Sequence, residues 1–187
     1  ATLTGTAAQV NTAYTSAGGG AITNLGNEAI TISDTTIAVA VLDTLNDNTS
    51  GTINAATVTT ITGAAATINT QYAGGVSNLG NEAITLTDTT LVASVFNTLN
   101  SNTSGTINGD SITTLTGTAA ASNTALTAAG TSNMGDQGVT LSDTTLSVAT
   151  LNTLDGNTSG AVNAATVTTL TGTATTCNTS YASSGIS

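Results

Sequence analysis

The 187-residue chain contains no Lys, Arg, His, Pro or Trp. Without a basic side chain there can be no side-chain ion pair and no cationic contact to phosphate. Nucleic-acid binding, which rests on neutralising the backbone, is therefore excluded as a function class. An anionic membrane surface repels a chain whose formal charge is -10. Ser and Thr are plentiful, but neither His nor Lys is there to activate a nucleophile, so Ser- or Thr-based hydrolysis lacks its base. Isopeptide crosslinks are excluded by the missing Lys, and trypsin has no cleavage site. Aromatics make up 2% of the residues, too few for a thick core. Cys177 is the single cysteine, so an intrachain disulfide is excluded. Its counterparts in the repeats described below are Ile68 and Ser122, which predicts a small, partly buried side chain rather than an intermolecular bridge. No apolar run approaches the ~20 residues that span a bilayer, so no membrane insertion is expected.

What is present argues against disorder. Charged residues are only 5%, mean hydropathy is +0.23, and Ile, Leu and Val recur regularly, whereas disordered chains lack apolar residues to bury. The phrase Asp-Thr-Thr, an apolar run, Asn-Thr-Ser-Gly and then Thr-Gly occurs three times. Asp34, Asp88 and Asp143 mark its start, Gly51, Gly105 and Gly160 follow, and Gly63, Gly117 and Gly172 close it. Self-similarity at this period is the signature of a stacked array. The sequence predicts one continuous array over 1–187, with repeats 5–62, 63–116 and 117–171 and a partial repeat 172–187. Both ends fall inside a repeat, so the chain reads as a section of something longer.

Each repeat divides into two related halves, a Gly-type and an Asp-type. Ile30 and Ile32, Ile84 and Leu86, and Val139 and Leu141 alternate with Thr, which predicts a short strand. In the Gly-type half, Val58-Thr59-Thr60-Ile61 alternates poorly and predicts a bulge or a buried hydroxyl. Asp34, Asp88 and Asp143 stand where an N-cap of the following helix would stand. Ile37, Val41 and Leu45 with Leu42, and Leu91, Val95 and Leu99 with Phe96, form the apolar stripe of that helix; Leu146, Leu151 and Leu154 keep most of it. Gly51, Gly105 and Gly160 are expected to take the left-handed conformation that ends it. A shorter Gly-type helix is predicted over Thr118–Leu126. One strand, one helix and a return loop per ~27-residue half-repeat make an α/β solenoid of about seven coils. The rival architecture is an all-β parallel β-helix, favoured by the Thr content.

Candidate sites are few. Asp155, Asn157 and Ser159 match the opening of a calcium loop, with oxygen ligands at alternate positions. Thr166 stands where the bidentate Glu would be, and the other copies begin with Asn46 and Asn100, so turn and cap chemistry explains the same residues without an ion. Calcium bridging acidic side chains of neighbouring molecules stays open. Glu28 and Glu82 lie in matching Leu-Gly-Asn-Glu-Ala loops, with Asp136 displaced in the third copy; a loop-closing or N-cap role is expected rather than a carboxylate pair at one substrate. Gly18-Gly19-Gly20 lacks the Lys of a phosphate loop and reads as a flexible insertion. Four sequons, at Asn48, Asn102, Asn157 and Asn178, recur because the repeat does.

Leu-Ser-Asp-Thr-Thr-Leu, Leu-Asn-Thr-Leu-Asp-Gly-Asn-Thr-Ser-Gly and Val-Thr-Thr-Leu-Thr-Gly-Thr-Ala, all between Leu141 and Ala174, resemble the tandem repeats of giant secreted cell-surface proteins of marine cyanobacteria and similar bacteria. The resemblance implies secretion, attachment at the cell surface or in extracellular fibres, and arrays longer than this one. The glycine-aspartate nonapeptide common in such giants is absent. The expected function is that of a non-enzymatic structural repeat of an adhesin, sheath or self-assembling filament, without a cofactor and with copies of itself or adjoining repeats as partners. The alternative is an ice- or glycan-binding module that uses the Thr-rich strand faces.

Overall fold

Alternating Thr and aliphatic residues suit a pleated surface with one side buried, and each such stretch becomes a strand in the computed structural model, which describes Ala1–Ser187. The chain carries seven helices and fifteen strands, and the paired strands are parallel. The fold is therefore α/β, and the all-β alternative fails because the predicted helices are helices. Residues group into two compact units, Ala1–Thr85 with Asn102–Ile107, and Leu86–Ser101 with Asn108–Ser187.

The first unit runs β1 (Thr2–Gly5), α1 (Ala7–Gly18), β2 (Ala29–Ile32), β3 (Thr36–Ala38), α2 (Val39–Asn48), β4 (Ile53–Asn54), β5 (Thr60–Gly63), α3 (Ala65–Ala73) and β6 (Val76–Ser77), and takes in β7 (Ala83–Leu86) as far as Thr85. Strands β1, β2, β4 and β6 form one sheet in which Leu3, Ile30, Ile53 and Val76 stand in register. The opposite pleat carries Thr4, Thr31, Asn54 and Ser77. Like thus pairs with like, aliphatic inside and hydroxyl or amide outside. Ile37 of β3 pairs with Ile61 of β5 in the same way.

The second unit contains β8 (Thr90–Val92), α4 (Ala93–Asn102) up to Ser101, β9 (Ile107–Asn108) from Asn108, β10 (Thr114–Gly117), α5 (Ala119–Leu126), β11 (Thr131–Ser132), β12 (Gly138–Leu141), β13 (Thr145–Ser147), α6 (Val148–Asn157), β14 (Val162–Asn163), β15 (Thr169–Thr171) and α7 (Ala174–Ala182). Its sheet β8–β10–β12–β14 sets Leu91, Leu115, Val139 and Val162 in one ladder, and β13 pairs with β15 through Leu146 and Leu170. Phe96, Leu99, Leu115, Leu151 and Leu154 are buried in this unit, as are Ile30, Leu42, Leu45, Ile61 and Ile68 in the first.

Three expectations change. The Asp-type half has two strands before its helix, not one, because Asp34-Thr35 makes a corner rather than a helix start. That corner is fixed by the Thr35 carbonyl, which accepts from Thr59 N–H, Thr60 N–H and the Thr59 hydroxyl at 2.8–3.1 Å. Thr89 and Thr144 take the same three donors from Thr113–Thr114 and Thr168–Thr169. The helices consequently begin five residues after the Asp, and their buried stripes are Val39, Leu42, Leu45; Ala93, Phe96, Leu99; and Val148, Leu151, Leu154. Ile37, Leu91 and Leu146 belong to strands instead. Finally, the segments following Asn-Thr-Ser-Gly, expected as a return loop, pair as two-residue strands β4 and β14.

Candidate functional site

Polar residues concentrate in two recurring places, the acidic loop and the Asn-Thr-Ser-Gly turn, and the fold brings them together. The acidic loop opens at Asn24, Asn78 and Asn133, whose φ angles of 63°, 64° and 57° lie in the left-handed region that Asn tolerates best after Gly. The loop then doubles back so that Glu28 Oε2 accepts from Gly26 N–H (2.8 Å), Asn27 N–H (3.2 Å) and the Tyr14 hydroxyl (3.3 Å). Glu82 repeats this with Gly80 N–H (2.8 Å), Asn81 N–H (3.2 Å) and the Tyr72 hydroxyl (2.9 Å). The bond from Gly26 N–H, opposed by burial and helped by the other bonds, holds the Glu28 carboxyl below its usual range. Burial pushes the Tyr14 and Tyr72 hydroxyls up.

The third loop shows what this arrangement is for. Gln137, not Asp136, takes the carboxylate's place, accepting from Gly135 N–H at 2.8 Å and donating to the Asn133 carbonyl at 2.9 Å. The helix position occupied by Tyr14 and Tyr72 is Leu126 in this copy. A neutral amide closes the loop as well as a carboxylate, so the group works as a hydrogen-bond acceptor for backbone N–H groups. Loop closure is what the sequence predicts for Glu28 and Glu82, and it misses Gln137; the signal was the Leu-for-Tyr exchange eleven residues earlier. Glu82 Oε1, wholly buried, has no hydrogen-bond partner.

All four residues of the Asn-Thr-Ser-Gly turn act on that loop or on the neighbouring helix. Asn48 Nδ2 donates to Asn11 Oδ1 at 3.1 Å, Asn102 to Asn69 at 2.9 Å, and Asn157 to Asn123 at 2.8 Å. The buried Thr49, Thr103 and Thr158 hydroxyls donate to the carbonyls of Glu28, Glu82 and Gln137, at 3.1, 2.9 and 2.6 Å. Ser50, Ser104 and Ser159 donate their N–H to Gly26, Gly80 and Gly135, each at 2.8 Å. Gly51, Gly105 and Gly160 are not left-handed, contrary to expectation. They are needed because a Cβ on any of them would collide with the backbone of Glu28, Glu82 or Gln137. The sequon amides Asn48, Asn102 and Asn157 are half-buried and committed, whereas Asn178 on α7 is exposed.

The aspartates are corrected in the same sense. α2 and α6 are preceded at their N-caps by Ala38 and Ser147, and α4 begins at Ala93, so Asp34, Asp143 and Asp88 do not cap the helices that follow them. Instead, Asp34 Oδ2 accepts from Ala7 N–H at 2.8 Å and Asp143 Oδ2 from Ala119 N–H at 2.8 Å. Each carboxylate satisfies an otherwise free donor at the first residue of the preceding helix, where its charge also suits the helix dipole. Sequence spacing cannot show a cap that arrives from the following half-repeat.

The calcium candidates lie on a helix end, not in a loop. Asp155 and Asn157 are in the last turn of α6; Asp155 Oδ2 accepts from the Ser183 hydroxyl at 2.7 Å, Asn157 is bound to Asn123, and Ser159 is exposed. No three Cys, Asp or Glu side chains cluster at metal-binding range. Cys177 is free and half-buried. No helix is long and apolar enough to cross a membrane. The second unit carries a groove of about 310 Å³ lined by Leu151, Val167, Leu170, Tyr181 and Ile186, among other residues. Comparison with known protein families, with curated proteins and with solved structures finds no match.

Proposed function

We propose that this chain is a structural solenoid segment of an extracellular surface assembly, an adhesin, sheath or filament, in which strand–helix coils stack and the work done is mechanical. The observation that carries this reading is the use to which the polar groups are put. The Asp, Asn and Thr side chains that recur bind the backbone or amides of a neighbouring half-repeat, and the Glu or Gln closes its own loop, at matching positions and distances. A site built for chemistry breaks such symmetry, because one substrate needs groups that converge once. Low charge and Thr-rich outer pleats leave a surface of hydroxyls and amides, suited to contact with water, ions or neighbouring copies. Electron microscopy of the purified chain and of native material tests the reading: fibres or layers with a regular repeat are expected, and dispersed short particles under all conditions would sink it.

A second reading has a specific observation in its favour. In the second unit Thr90 and Thr114 pair in register, and Thr116 pairs with Thr140, so outward hydroxyls recur at the strand spacing of about 4.8 Å. Such an array matches ordered water or a sugar surface. Thermal hysteresis and glycan-array binding separate it from the first reading, which expects neither.

A further inference from the structure

The third acidic loop departs from the repeat in three places. Leu126 stands where Tyr14 and Tyr72 clamp the earlier loops, so the acceptor Gln137 has no phenol hydroxyl to hold it. Met134, the chain's single methionine, stands where Leu25 and Leu79 stand in the earlier copies. Gly109 takes the place of the wholly buried Ala55 in the turn beside this loop. The last two exchanges belong together. A Cβ on Gly109 would stand 2.5 Å from Met134 Sδ and 3.4 Å from the Asn133 carbonyl oxygen. The thioether sulfur thus fills the space of a methyl group and lies against the turn backbone.

The donors around that sulfur are already spent. Gly109 N–H donates to the Ser132 carbonyl at 3.0 Å, and Ile112 N–H to the Gly109 carbonyl at 2.8 Å. Asn133 Nδ2 donates to Asn108 Oδ1 at 2.8 Å, and Gln137 Nε2 to the Asn133 carbonyl at 2.9 Å. Met134 is half-buried while Ser132, Asn133 and Asp136 near it are exposed, so a small uncharged oxidant reaches the loop. We propose that Met134 is a redox modification site: a peroxide oxidises it to the sulfoxide, and the change releases the third loop from the Asn108–Gly109 turn. A sulfur lone pair attacks one oxygen of hydrogen peroxide, the S–O bond forms as the O–O bond breaks, and the other oxygen leaves with both protons as water. Sulfur gives up two electrons, and sulfoxide reductases return them. The new oxygen is an acceptor with the Asn133 carbonyl, another acceptor, beside it and the neighbouring donors committed. Left dry it costs free energy, so it draws the loop toward water. The missing tyrosine clamp leaves this loop with fewer side-chain bonds to break than its two counterparts. The inference concerns one copy and does not depend on the assembly reading.

The test uses the whole chain carrying Cys177→Ser, the exchange that Ser122 already represents in the preceding copy, so that Met134 holds the single remaining sulfur. Hydrogen peroxide is added, intact mass follows the gain of one oxygen, and amide hydrogen exchange is read by NMR. Exchange at Gly109 and Gly135 is expected to quicken by at least about tenfold. Gly80, which holds the place of Gly135 in the second loop, should not change. The urea midpoint should fall by about 0.5–1 M, and methionine sulfoxide reductases should restore both readings. Met134→Leu with Gly109→Ala rebuilds the Leu79 and Ala55 combination and should not respond to peroxide; Met134→Leu alone replaces it if the double variant does not fold. The proposal is overturned if Met134 stays a thioether while free methionine in the same solution is oxidised. It is equally overturned if the sulfoxide forms with exchange at Gly109 and Gly135 unchanged, if Gly80 quickens as much as they do, or if the leucine variant responds like its parent.

Discussion

Replacing Gly105 by Ala tests whether the Asn-Thr-Ser-Gly turn is held by contact or by backbone conformation. An added Cβ would collide with the Glu82 carbonyl, a group fixed by the Thr103 hydroxyl at 2.9 Å while Gly105 N–H donates to Thr103 Oγ1 at 3.0 Å. Relief requires the acidic loop to move away from the turn. Overpacking of this kind costs about 1–3 kcal/mol, and loosening the buried Thr103 bond adds about 1 kcal/mol. The expected loss is therefore about 2–4 kcal/mol, read as a lower midpoint in urea denaturation followed by circular dichroism. Gly105→Asn discriminates further: Asn tolerates a left-handed backbone but is larger than Ala, so the contact account predicts that it is at least as damaging. Gly156→Ala serves as the control. That glycine sits in α6 with open space around its Cβ direction, and Ala there is expected to stabilise by about 0.5–1 kcal/mol. A Gly105→Ala variant within about 0.5 kcal/mol of the natural chain, or an Asn variant that is well tolerated, would refute the close approach.

Asp143→Ala leaves the Ala119 N–H of α5 without its acceptor and is expected to cost about 0.5–2 kcal/mol in the same denaturation assay; Asp143→Asn, which keeps an oxygen there, should recover most of the loss. Glu82→Gln is expected to hold or raise stability at neutral pH, because Gln137 already closes its loop this way and the exchange removes a buried carboxylate with an unpartnered oxygen. Glu28 sets a pH dependence: with its folded pKa below the unfolded value, its contribution is present above the unfolded pKa and is lost as pH falls through the folded one. Thermal unfolding from pH 7 downward should show that loss as pH falls below the ordinary Glu range, flattened in Glu28→Gln; an unchanged profile in that variant counts against the carboxylate as its source.

Much of the fold was legible in the sequence because it depends on local rules repeated many times. The alternation of Ile30-Thr31-Ile32 and its copies fixes which pleat is buried. The repeat placed a short helix over Thr118–Leu126, and α5 runs Ala119–Leu126 with Thr118 as its N-cap, the Thr118 side chain accepting from Ala121 N–H. Equally, the closing role of Glu28 and Glu82 could be read because donor and acceptor lie two residues apart.

What the tertiary structure alone decided lies between half-repeats. Asp34 and Asp143 look like caps for the helices after them, yet they cap the helices before them, because the fold brings residues 27 and 24 apart in the chain to hydrogen-bond distance. Gly51, Gly105 and Gly160 look like helix terminators and are spacers for another loop's carbonyl. A local rule predicts the residue type at such positions, since small or acidic groups suit both roles. It cannot supply the partner, because that partner is set by how one half-repeat packs on the following one within the fold.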